Sequence, residues 1–246
     1  MKACALLSGG KDSNYALYRA IKDGLEVACI VSIVPERPDS WMFHRPLVEV
    51  ARLQAEAMGY ADRHYFIRVS GVKEKEVNEL TESLRPLRAR TGFEFLVIGG
   101  IASRYQLERF KSVAESLGVK LYDPQWGARP EAYLRLLLNE KIIYIITQIT
   151  TQGLPQSLLG VPINRPELVD EILGLSSKYG FHPAFEGGEA ETLVISAPHY
   201  REGICIWGRR VRLAEFQYIL EVNRFELCSE PTAVVDGVKY PAASQS

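Results

Sequence analysis

The residues best suited to chemistry lie close to the start of the chain. An apolar run from Ala3 to Leu7 is followed by Ser8-Gly9-Gly10-Lys11-Asp12-Ser13, and then by a helical pattern made of Ala16, Leu17, Ala20 and Ile21. A strand that turns through two glycines into a helix leaves several backbone N–H groups without partners in the helix. These groups point to the same place as the positive end of the helix dipole. The stretch therefore predicts an anion-binding loop.

Two other interpretations of this stretch must be weighed. Gly9-Gly10 could make a tight turn only, with Asp12 or Ser13 as a helix cap. A Walker A loop would need a glycine five positions before its second glycine, and a serine or threonine after its lysine. Ala5 and Asp12 occupy those two places, so the Walker A interpretation fails.

The six residues of this loop resemble the phosphate loop of the ATP pyrophosphatases, within the alpha-hydrolase group of nucleotide-binding proteins. That resemblance implies ATP and Mg²⁺ as cofactors. The two distal phosphates leave as pyrophosphate, and the α-phosphate is transferred to the substrate as an adenylate. It also implies that residues 8 to 13 hold the phosphates, and that Asp12 either binds Mg²⁺ or shapes the loop.

Composition and charge narrow the class of protein. With 246 residues, of which 47% are apolar, the chain can form one large domain or one domain with a substantial addition. A formal net charge of −1 gives no strong attraction for nucleic acid, so no direct nucleic-acid binding is expected. No apolar run approaches the ~20 residues of a membrane span, and the first residues already read as a strand, which predicts a cytoplasmic protein without a membrane partner.

The four cysteines carry a separate expectation. They lie far apart, without a C-x-x-C pair, at Cys4, Cys29, Cys205 and Cys228. Three of them fall in apolar, strand-like runs. Buried reduced thiols are therefore the expected state.

Residues 1–123 read as a Rossmann-like ATP-binding domain with a doubly wound parallel sheet. Five apolar strand patterns alternate with four helical patterns, the last helix running from about Arg104 to Leu117. Such sheets bind ligands at the carboxyl ends of their strands, so adenine is expected near Ser32 to Val34. A second glycine turn after the fourth strand is expected to add Gly99, Gly100, Ile101 and Ser103 to the nucleotide site.

After Pro124 the sequence changes character. Helical patterns mixed with hairpin-like strands over residues 124–228 predict a smaller α+β domain for the acceptor substrate. Residues 229–246 are rich in Pro, Ala, Ser and Gln without periodicity, and a flexible tail is expected there.

The second domain contains an unusual acidic segment, Glu186-Gly187-Gly188-Glu189-Ala190-Glu191-Thr192. It could be an acidic surface turn. Alternatively, its glycines let the backbone approach a ligand while its three carboxylates bind Mg²⁺, a cationic substrate group or ammonium. If the carboxylates are buried, they need a partner.

Together the motifs resemble the diphthine–ammonia ligase family, also called diphthamide synthase, in its short archaeal-type form. The matching elements are SGGKDS at 8–13, Met-Phe-His at 42–44, Gln-Ala-Glu-Ala-Met-Gly at 54–59, the Gly-Ile-x-Ser-x-Tyr-Gln-x-x-Arg pattern at 100–109, Pro-x-Trp-Gly at 124–127, Gly-Leu at 153–154 with Leu-Gly at 159–160, and EGGExET at 186–192. Two residues depart from the family pattern. Gln125 stands where leucine is usual, and Leu158 stands where tryptophan is common. Both departures are expected to alter packing around the acceptor pocket, and neither is expected to touch the phosphate loop.

The resemblance implies the last step of diphthamide formation on elongation factor 2. A diphthine carboxylate becomes an acyl-adenylate and then an amide. Free ammonium is the expected nitrogen donor, because the two domains leave no length for a glutaminase domain. The implied catalytic residues are Lys11, Asp12, Glu189 and Glu191, and His44 is implied to adjoin the nucleotide. The implied substrate-binding residues are Tyr105, Gln106, Arg109, Trp126, Glu186, Gly187, Gly188 and Thr192.

Two alternatives stay open at this point, as does assembly into a homodimer. One is another adenylating enzyme of the same superfamily that amidates a small molecule or modifies tRNA. The other is a nucleotide sensor without chemistry.

Overall fold

A computed structural model describes residues 1–35, 45–72, 75–101 and 103–243, without the side chains of Pro35 and residues 45–48. The chain forms two compact units. The first comprises Met1–Ser8, Asp12–Glu56 and Tyr60–Trp126. The second comprises Gly9–Lys11, Ala57–Gly59 and Gly127–Ser246. The expected nucleotide contact of His44 lies outside the described residues.

The first unit is a parallel α/β sheet with alternating helices, as the sequence predicts. Its elements are β1 (Lys2–Leu6), α1 (Lys11–Lys22), β2 (Glu26–Pro35), α2 (Arg45–Ala57), a 3₁₀ turn (Ala61–Arg63), β3 (His64–Val69), α3 (Lys75–Thr91), β4 (Phe95–Val97), α4 (Arg104–Leu117) and β5 (Lys120–Tyr122). The strand order is β3-β2-β1-β4-β5, and every neighbouring pair is parallel. The Rossmann-like doubly wound fold is therefore confirmed.

This strand order fixes where a ligand can bind. Successive strands run outwards from β1 in one direction as far as β3, and the chain then crosses to the other side of β1 to form β4 and β5. At such a switch point the loops that follow β1 and β4 part, and a crevice opens at the carboxyl ends of the strands. The loop after β1 begins with Leu7 and Ser8, and the loop after β4 begins with Ile98 and Gly99.

Helices cover the sheet through apolar faces with helical spacing. In α3 the side chains of Leu80, Leu84 and Leu87 are buried against Leu96 of β4 and Phe93. Residues three or four positions apart share one face of a helix, so this spacing turns one apolar stripe toward the sheet. The core is what holds the strand ends in place.

The second unit is a mixed α+β structure. Its elements are α5 (Pro130–Asn139), β6 (Ile143–Ile149), a 3₁₀ turn (Gln156–Leu158), α6 (Pro166–Tyr179), β7 (Ala190–Ser196), β8 (Gly203–Ala214), β9 (Gln217–Cys228), β10 (Thr232–Val235) and β11 (Val238–Pro241). The sheet order is β11-β10-β8-β9-β6-β7, which leaves β7 at one edge. The pairs are antiparallel except for β10 beside β8.

The expectation of a flexible tail is wrong for most of residues 229–246. Strand β10 pairs with β8, and β11 returns beside β10 as a hairpin. Ala233 and Val235 of β10 are completely buried. Each of these strands has only four residues, which is too short for a clear alternating pattern to stand out from a Pro- and Ser-rich composition.

The expectation of reduced thiols is also wrong. Cys4 is bonded to Cys29, and Cys205 is bonded to Cys228. Cys4 and Cys29 are direct register partners on β1 and β2. Only the strand pairing brings them together, because 25 residues separate them along the chain. In the described part of the chain, no helix combines the length and apolar character needed to cross a membrane.

Candidate active site

The loop after β1 is closed by two serines of the first unit. The backbone N–H of Ser8 donates to the Ser13 hydroxyl oxygen at 3.2 Å, and the two hydroxyl oxygens lie 3.0 Å apart. Between them, Gly9 has a φ of +90°, in the region that favours glycine, and Gly10 continues the turn into α1. Helix α1 starts at Lys11, so its first turn carries Lys11, Asp12 and Ser13.

The middle of the loop, Gly9–Lys11, belongs to the second unit. The carbonyl of Gly9 accepts from the backbone N–H of Val194 at 3.0 Å. The backbone N–H of Lys11 donates to the Thr192 hydroxyl at 3.2 Å. Both partners lie on the edge strand β7, so this strand holds the centre of the loop.

The Lys11 side chain is 2% exposed. Its ammonium donates to the carbonyl oxygen of Ala184 at 2.7 Å and lies 5.4 Å from the centre of the Phe185 ring. A buried ammonium needs such partners, because desolvation otherwise penalises its charge. Lys11 is therefore held at a defined place, and sequence reasoning did not foresee Ala184 or Phe185 as its partners.

The first unit contains a cavity of about 600 Å³ at the switch point of its sheet. Its apolar lining comes from the strands, including Val31, Ile33 and Val69, and from helices α3 and α4, including Leu80 and Phe110. Its polar lining residues are Ser8, Ser13, Glu76, Ser103, Tyr105, Gln106 and Arg109. This volume and this mixture of surfaces are typical of small-molecule sites.

The second glycine turn meets the first at this place. A Cβ atom on Gly99 would overlap the backbone carbonyl of Asp12 and lie 2.6 Å from the nitrogen of Ser13. At Gly100, the nearest atom to such a Cβ is Asp123 Oδ2, at 3.7 Å, which is an ordinary contact. Gly99 therefore allows the end of β4 to approach α1, whereas Gly100 has room for a side chain. Ile101 is buried.

Ser32 has a structural role that the sequence did not reveal. Its hydroxyl donates to the Leu7 carbonyl at 2.7 Å and lies 2.9 Å from Nε2 of His64. Since the single hydroxyl proton goes to Leu7, we assign Nε2 as protonated and as the donor to Ser32. Burial, with a smaller contribution from Arg52, lowers the pKa of His64 to about 4, so the ring is neutral near pH 7.

His64 is a residue that sequence reasoning missed. It is the first residue of β3, and Ile30 of β2 is its register partner. Only this register brings its ring to Ser32 of β2, so no local motif marks it. The contact engages Ser32 within the protein, and Ser32 is not among the residues that line the cavity.

The start of α4 brings Tyr105, Gln106 and Arg109 to the cavity, together with Ser8 and Ser13. The guanidinium carbon of Arg109 lies 3.8 Å from the centre of the Tyr105 ring, which is 53% exposed. Ser103 caps α4 by accepting from the backbone N–H of Gln106 at 3.4 Å. A cation stacked on an aromatic face can bind an anionic or planar group. Trp126 is partly exposed and is not among the residues that line the cavity.

The donor set for a metal is sparse. Among the described residues, no group of three or more His, Cys, Asp or Glu side chains could hold a metal ion. Mg²⁺ that is bound mainly by nucleotide phosphates needs only one or two carboxylates, so the half-exposed Asp12 fits that role. The side-chain amide of the buried Gln125 donates to the Asp12 carbonyl at 3.0 Å. The expectation that this departure from the family pattern does not touch the phosphate loop is therefore wrong.

The acidic segment is an ordered loop that leads into β7. The two carboxylate oxygens of Glu189 accept from the backbone N–H groups of His182 and Gly187, both at 2.9 Å. A Cβ on Gly187 would lie 2.7 Å from Glu189 Oε1, and Gly188 has a φ of +82°. The carboxylate of Glu189 therefore organises its own loop.

The other two carboxylates of the segment stand in different surroundings. The backbone N–H of Glu186 donates to Nδ1 of His182 at 3.4 Å. Glu191 lies on β7 opposite Gln148 of β6. Both side chains are partly exposed. Thr192, the last residue of the segment, contacts the phosphate loop through the hydrogen bond described above.

The sheet, the loop and the cavity together define a class of protein. A doubly wound parallel sheet, with a Gly-Gly-Lys loop and a cavity at its switch point, is a nucleotide-binding α/β protein.

Comparison with known proteins gives the family. The family model for the diphthamide synthase N-terminal domain matches residues 1–121, and that for the diphthamide synthase C-terminal domain matches residues 129–227. The chain belongs to the diphthamide synthase family, which confirms the resemblance seen in its motifs. The enzyme class of this family is a ligase that forms a C–N bond.

Curated relatives agree with this assignment. The chain is 30% identical to "Diphthine--ammonia ligase" of Rattus norvegicus over 223 residues, which cover 84% of this chain and 83% of that protein. The proteins of the same name from Bos taurus and Homo sapiens are 29% and 28% identical, with the same coverage. A solved structure described as a predicted subunit of tRNA methyltransferase from Methanocaldococcus jannaschii has a TM-score of 0.37 and 17% identity, over 80% of this chain and 98% of that one. That similarity is too weak to bear on the fold or the function.

Proposed function

We propose that the chain uses ATP to convert the diphthine carboxylate of elongation factor 2 into an amide, with ammonium as nitrogen donor. AMP and pyrophosphate are the other products. The observation that carries the proposal is the cavity at the switch point, which is lined by Ser8 and Ser13 of the SGGKDS loop. Family membership supports the acceptor and the nitrogen donor, which are the substrates named in the relatives.

The chemistry explains why a nucleotide is needed. A carboxylate is a poor electrophile, so one of its oxygens first attacks the α-phosphorus of ATP and pyrophosphate leaves. The acyl-adenylate then carries a good leaving group. Ammonia attacks the acyl carbon, the C–O bond to AMP breaks, and the nitrogen loses a proton to give the neutral amide. Covalent activation thus divides one difficult step into two easier ones.

The phosphate loop supplies the first step. The backbone of Gly9 and Gly10, with the Ser8 and Ser13 hydroxyls, holds the distal phosphates, while Lys11 offsets the charge that grows on pyrophosphate. The Lys11 ammonium donates to the Ala184 carbonyl, which fixes the position of its charge. Asp12 would hold Mg²⁺, which supplies charge neutralisation on the phosphates when bound. Gly99, Gly100, Ile101 and Ser103 complete the nucleotide side of the site.

The acceptor and ammonium use other residues. Tyr105, Gln106 and Arg109 at the start of α4 bind the acceptor, with Trp126 as a further contact. The backbone at Gly187 and Gly188 lets the substrate approach the acidic segment closely. Glu186 and Glu191 attract ammonium and assist its deprotonation. A cytoplasmic location, the absence of a nucleic-acid partner and a homodimer remain predictions.

The proposal is tested by identifying the products. Wild-type protein, ATP, Mg²⁺, ammonium and diphthine-bearing elongation factor 2 should yield AMP and pyrophosphate in equal amounts, with amide formed on the acceptor. Omission of any one substrate should stop the reaction. ADP in place of AMP would overturn the mechanism, and ATP binding without AMP would favour the nucleotide sensor. Lys11→Ala should lower the rate by about 10² to 10³, the usual cost of one transition-state contact.

A further inference from the structure

We infer that Thr192 and Glu189 are positioning residues that fix the two ends of Lys11 before the nucleotide binds. Thr192 fixes the backbone of Lys11, and Glu189 fixes the turn that receives its ammonium. The inference rests on the proposed function for its catalytic consequence. It replaces the expectation that Glu189 itself handles ammonium and that Thr192 contacts the substrate.

The backbone end is held by the edge of the second sheet. Gly9 bonds to Val194, and Lys11 bonds to Thr192, so the loop runs antiparallel to β7. An edge strand offers unpaired backbone groups, and the loop pairs with one of them, the N–H of Val194. At Lys11 the partner of the loop is the Thr192 hydroxyl. This hydrogen bond therefore depends on a side chain that a substitution can remove.

The ammonium end is held by a strained turn. Phe185 has a φ of +65°, which is unfavourable for a bulky residue and persists only where neighbouring contacts impose it. The backbone N–H of Phe185 donates to the carbonyl of His182 at 2.9 Å, and the N–H of Gly188 donates to the Phe185 carbonyl at 3.3 Å. This turn presents both the Ala184 carbonyl and the Phe185 ring to Lys11.

The carboxylate of Glu189 clamps this turn at both of its ends. One oxygen accepts from the N–H of His182, before Ala184, and the other accepts from the N–H of Gly187, after Phe185. Hydrogen bonds from backbone N–H groups to a carboxylate are stronger than neutral ones. Removing them should release the turn, and with it the carbonyl that orients Lys11.

Positioning of Lys11 by Thr192 and Glu189 would favour catalysis through preorganisation. A cation aimed in advance at the place where charge develops avoids the cost of reorganisation during the reaction. Two side chains that do not touch the substrate therefore control a residue that does. Within the acidic segment, Glu189 and Thr192 thus act through Lys11 in the adenylation step rather than on ammonium in the amidation step.

The first test needs no activity. In the full-length protein, the rate of reductive methylation of Lys11 is followed by mass spectrometry, with the exposed Lys178 as internal reference. Thr192→Val and Glu189→Ala should each raise the Lys11 rate about tenfold, the usual effect of losing a hydrogen bond of this kind, while Lys178 keeps its rate. Thr192→Ser, which retains the hydroxyl, should restore protection. Thr151→Val is the matched control, because the Thr151 hydroxyl bonds to the neighbouring Gln152 carbonyl.

The second test separates positioning from a role in ammonium binding. Both variants should lower kcat for pyrophosphate release about tenfold and leave the KM for ammonium unchanged. A raised KM for ammonium in Glu189→Gln, with Lys11 still protected, would overturn the inference. Unchanged Lys11 labelling in Thr192→Val would also overturn it. If Glu189→Ala loses its cooperative unfolding transition, Glu189→Gln, which lacks the carboxylate charge, replaces it; if Thr192→Val does, Thr192→Ala replaces it. Faster labelling of Lys11 is expected in each replacement, and an unchanged rate would overturn the inference. Failure of the proposed function would instead show as absence of AMP in the wild-type protein, with the labelling pattern intact.

Discussion

The Nε2 nitrogen of His64 lies 2.9 Å from the hydroxyl oxygen of Ser32, and that hydroxyl also donates to the carbonyl of Leu7. Three strands thus meet through one hydroxyl group, since Ser32 lies on β2, His64 starts β3 and Leu7 directly follows β1. The ring of His64 must be neutral to fit this place, because burial disfavours the imidazolium and lowers its pKa to about 4.

This pKa makes stability depend on pH in a defined direction. In the unfolded chain His64 binds a proton below its ordinary value of 6.5, whereas in the fold it does so only near 4. The unfolded state therefore binds more protons between these values, so the free energy of unfolding should fall as pH decreases from 6.5 toward 4. Urea unfolding at pH 7, 6 and 5 measures the effect.

The matched variant for this experiment is His64→Gln, whose amide can still donate to Ser32. It should show a weaker decline of the urea midpoint between pH 7 and 5. Some decline should remain, because burial also lowers the pKa of His199, in the second unit, to about 3. Identical pH profiles for the wild type and His64→Gln would contradict the assignment of His64.

Gly99 and Gly100 look equivalent in the sequence but should respond differently to substitution. Gly99→Ala would push a methyl group into the Asp12 carbonyl, a backbone group that cannot turn aside. It should cost at least about 2 kcal/mol of stability and weaken ATP binding, because the loop and the end of β4 must separate. Gly100→Ala meets only an ordinary contact at 3.7 Å and should be tolerated.

The control for these two variants is Gly174→Ala in α6. A Cβ there meets no atom within 4 Å, so alanine should stabilise the helix by roughly 0.5–1 kcal/mol. Thermal unfolding and titration with a non-hydrolysable ATP analogue give both readouts. Equal losses at positions 99 and 100 would refute the explanation by close approach.

Local sequence patterns predicted the elements that carry the nucleotide site. The SGGKDS loop lies between a strand and a helix, and α4 spans the residues expected for it, Arg104–Leu117. In such stretches, glycine chemistry and helical periodicity act over fewer than twenty residues, so neighbouring residues carry the signal.

Partners across long separations could not be predicted in this way. The Ala184 carbonyl is 173 residues from Lys11, and His64 is 32 residues from Ser32. Cys4 pairs with Cys29 only because their strands are neighbours. Each of these pairs depends on sheet register, which local patterns leave undetermined.

Arg109 offers a test of the acceptor site. Its guanidinium is stacked on Tyr105, and lysine at this position would keep the charge but lose the planar group. Arg109→Lys should raise the KM for modified elongation factor 2 about tenfold, while the KM for ATP changes by less than about twofold. Arg104→Lys, on the same helix but outside the cavity lining, is the control. A larger effect on ATP than on the acceptor would move Arg109 to the nucleotide site.

The C-terminal hairpin gives the last prediction, because it was expected to be a flexible tail. Val235 is completely buried and packs where Gly160 leaves room: a Cβ at Gly160 would lie 2.5 Å from a methyl group of Val235. Val235→Ala should therefore cost about 2 kcal/mol, from lost burial and the cavity left behind. Val238→Ala, in the same hairpin but 50% exposed, should stay within about 0.5 kcal/mol of wild type.

Deleting residues 229–246 should cost more than Val235→Ala, since it also removes the pairing of β10 with β8 and the Arg210–Asp236 ion pair. Urea unfolding gives the free energy of unfolding of all three variants. A deletion variant as stable as the wild type would show that residues 229–246 do not contribute to stability.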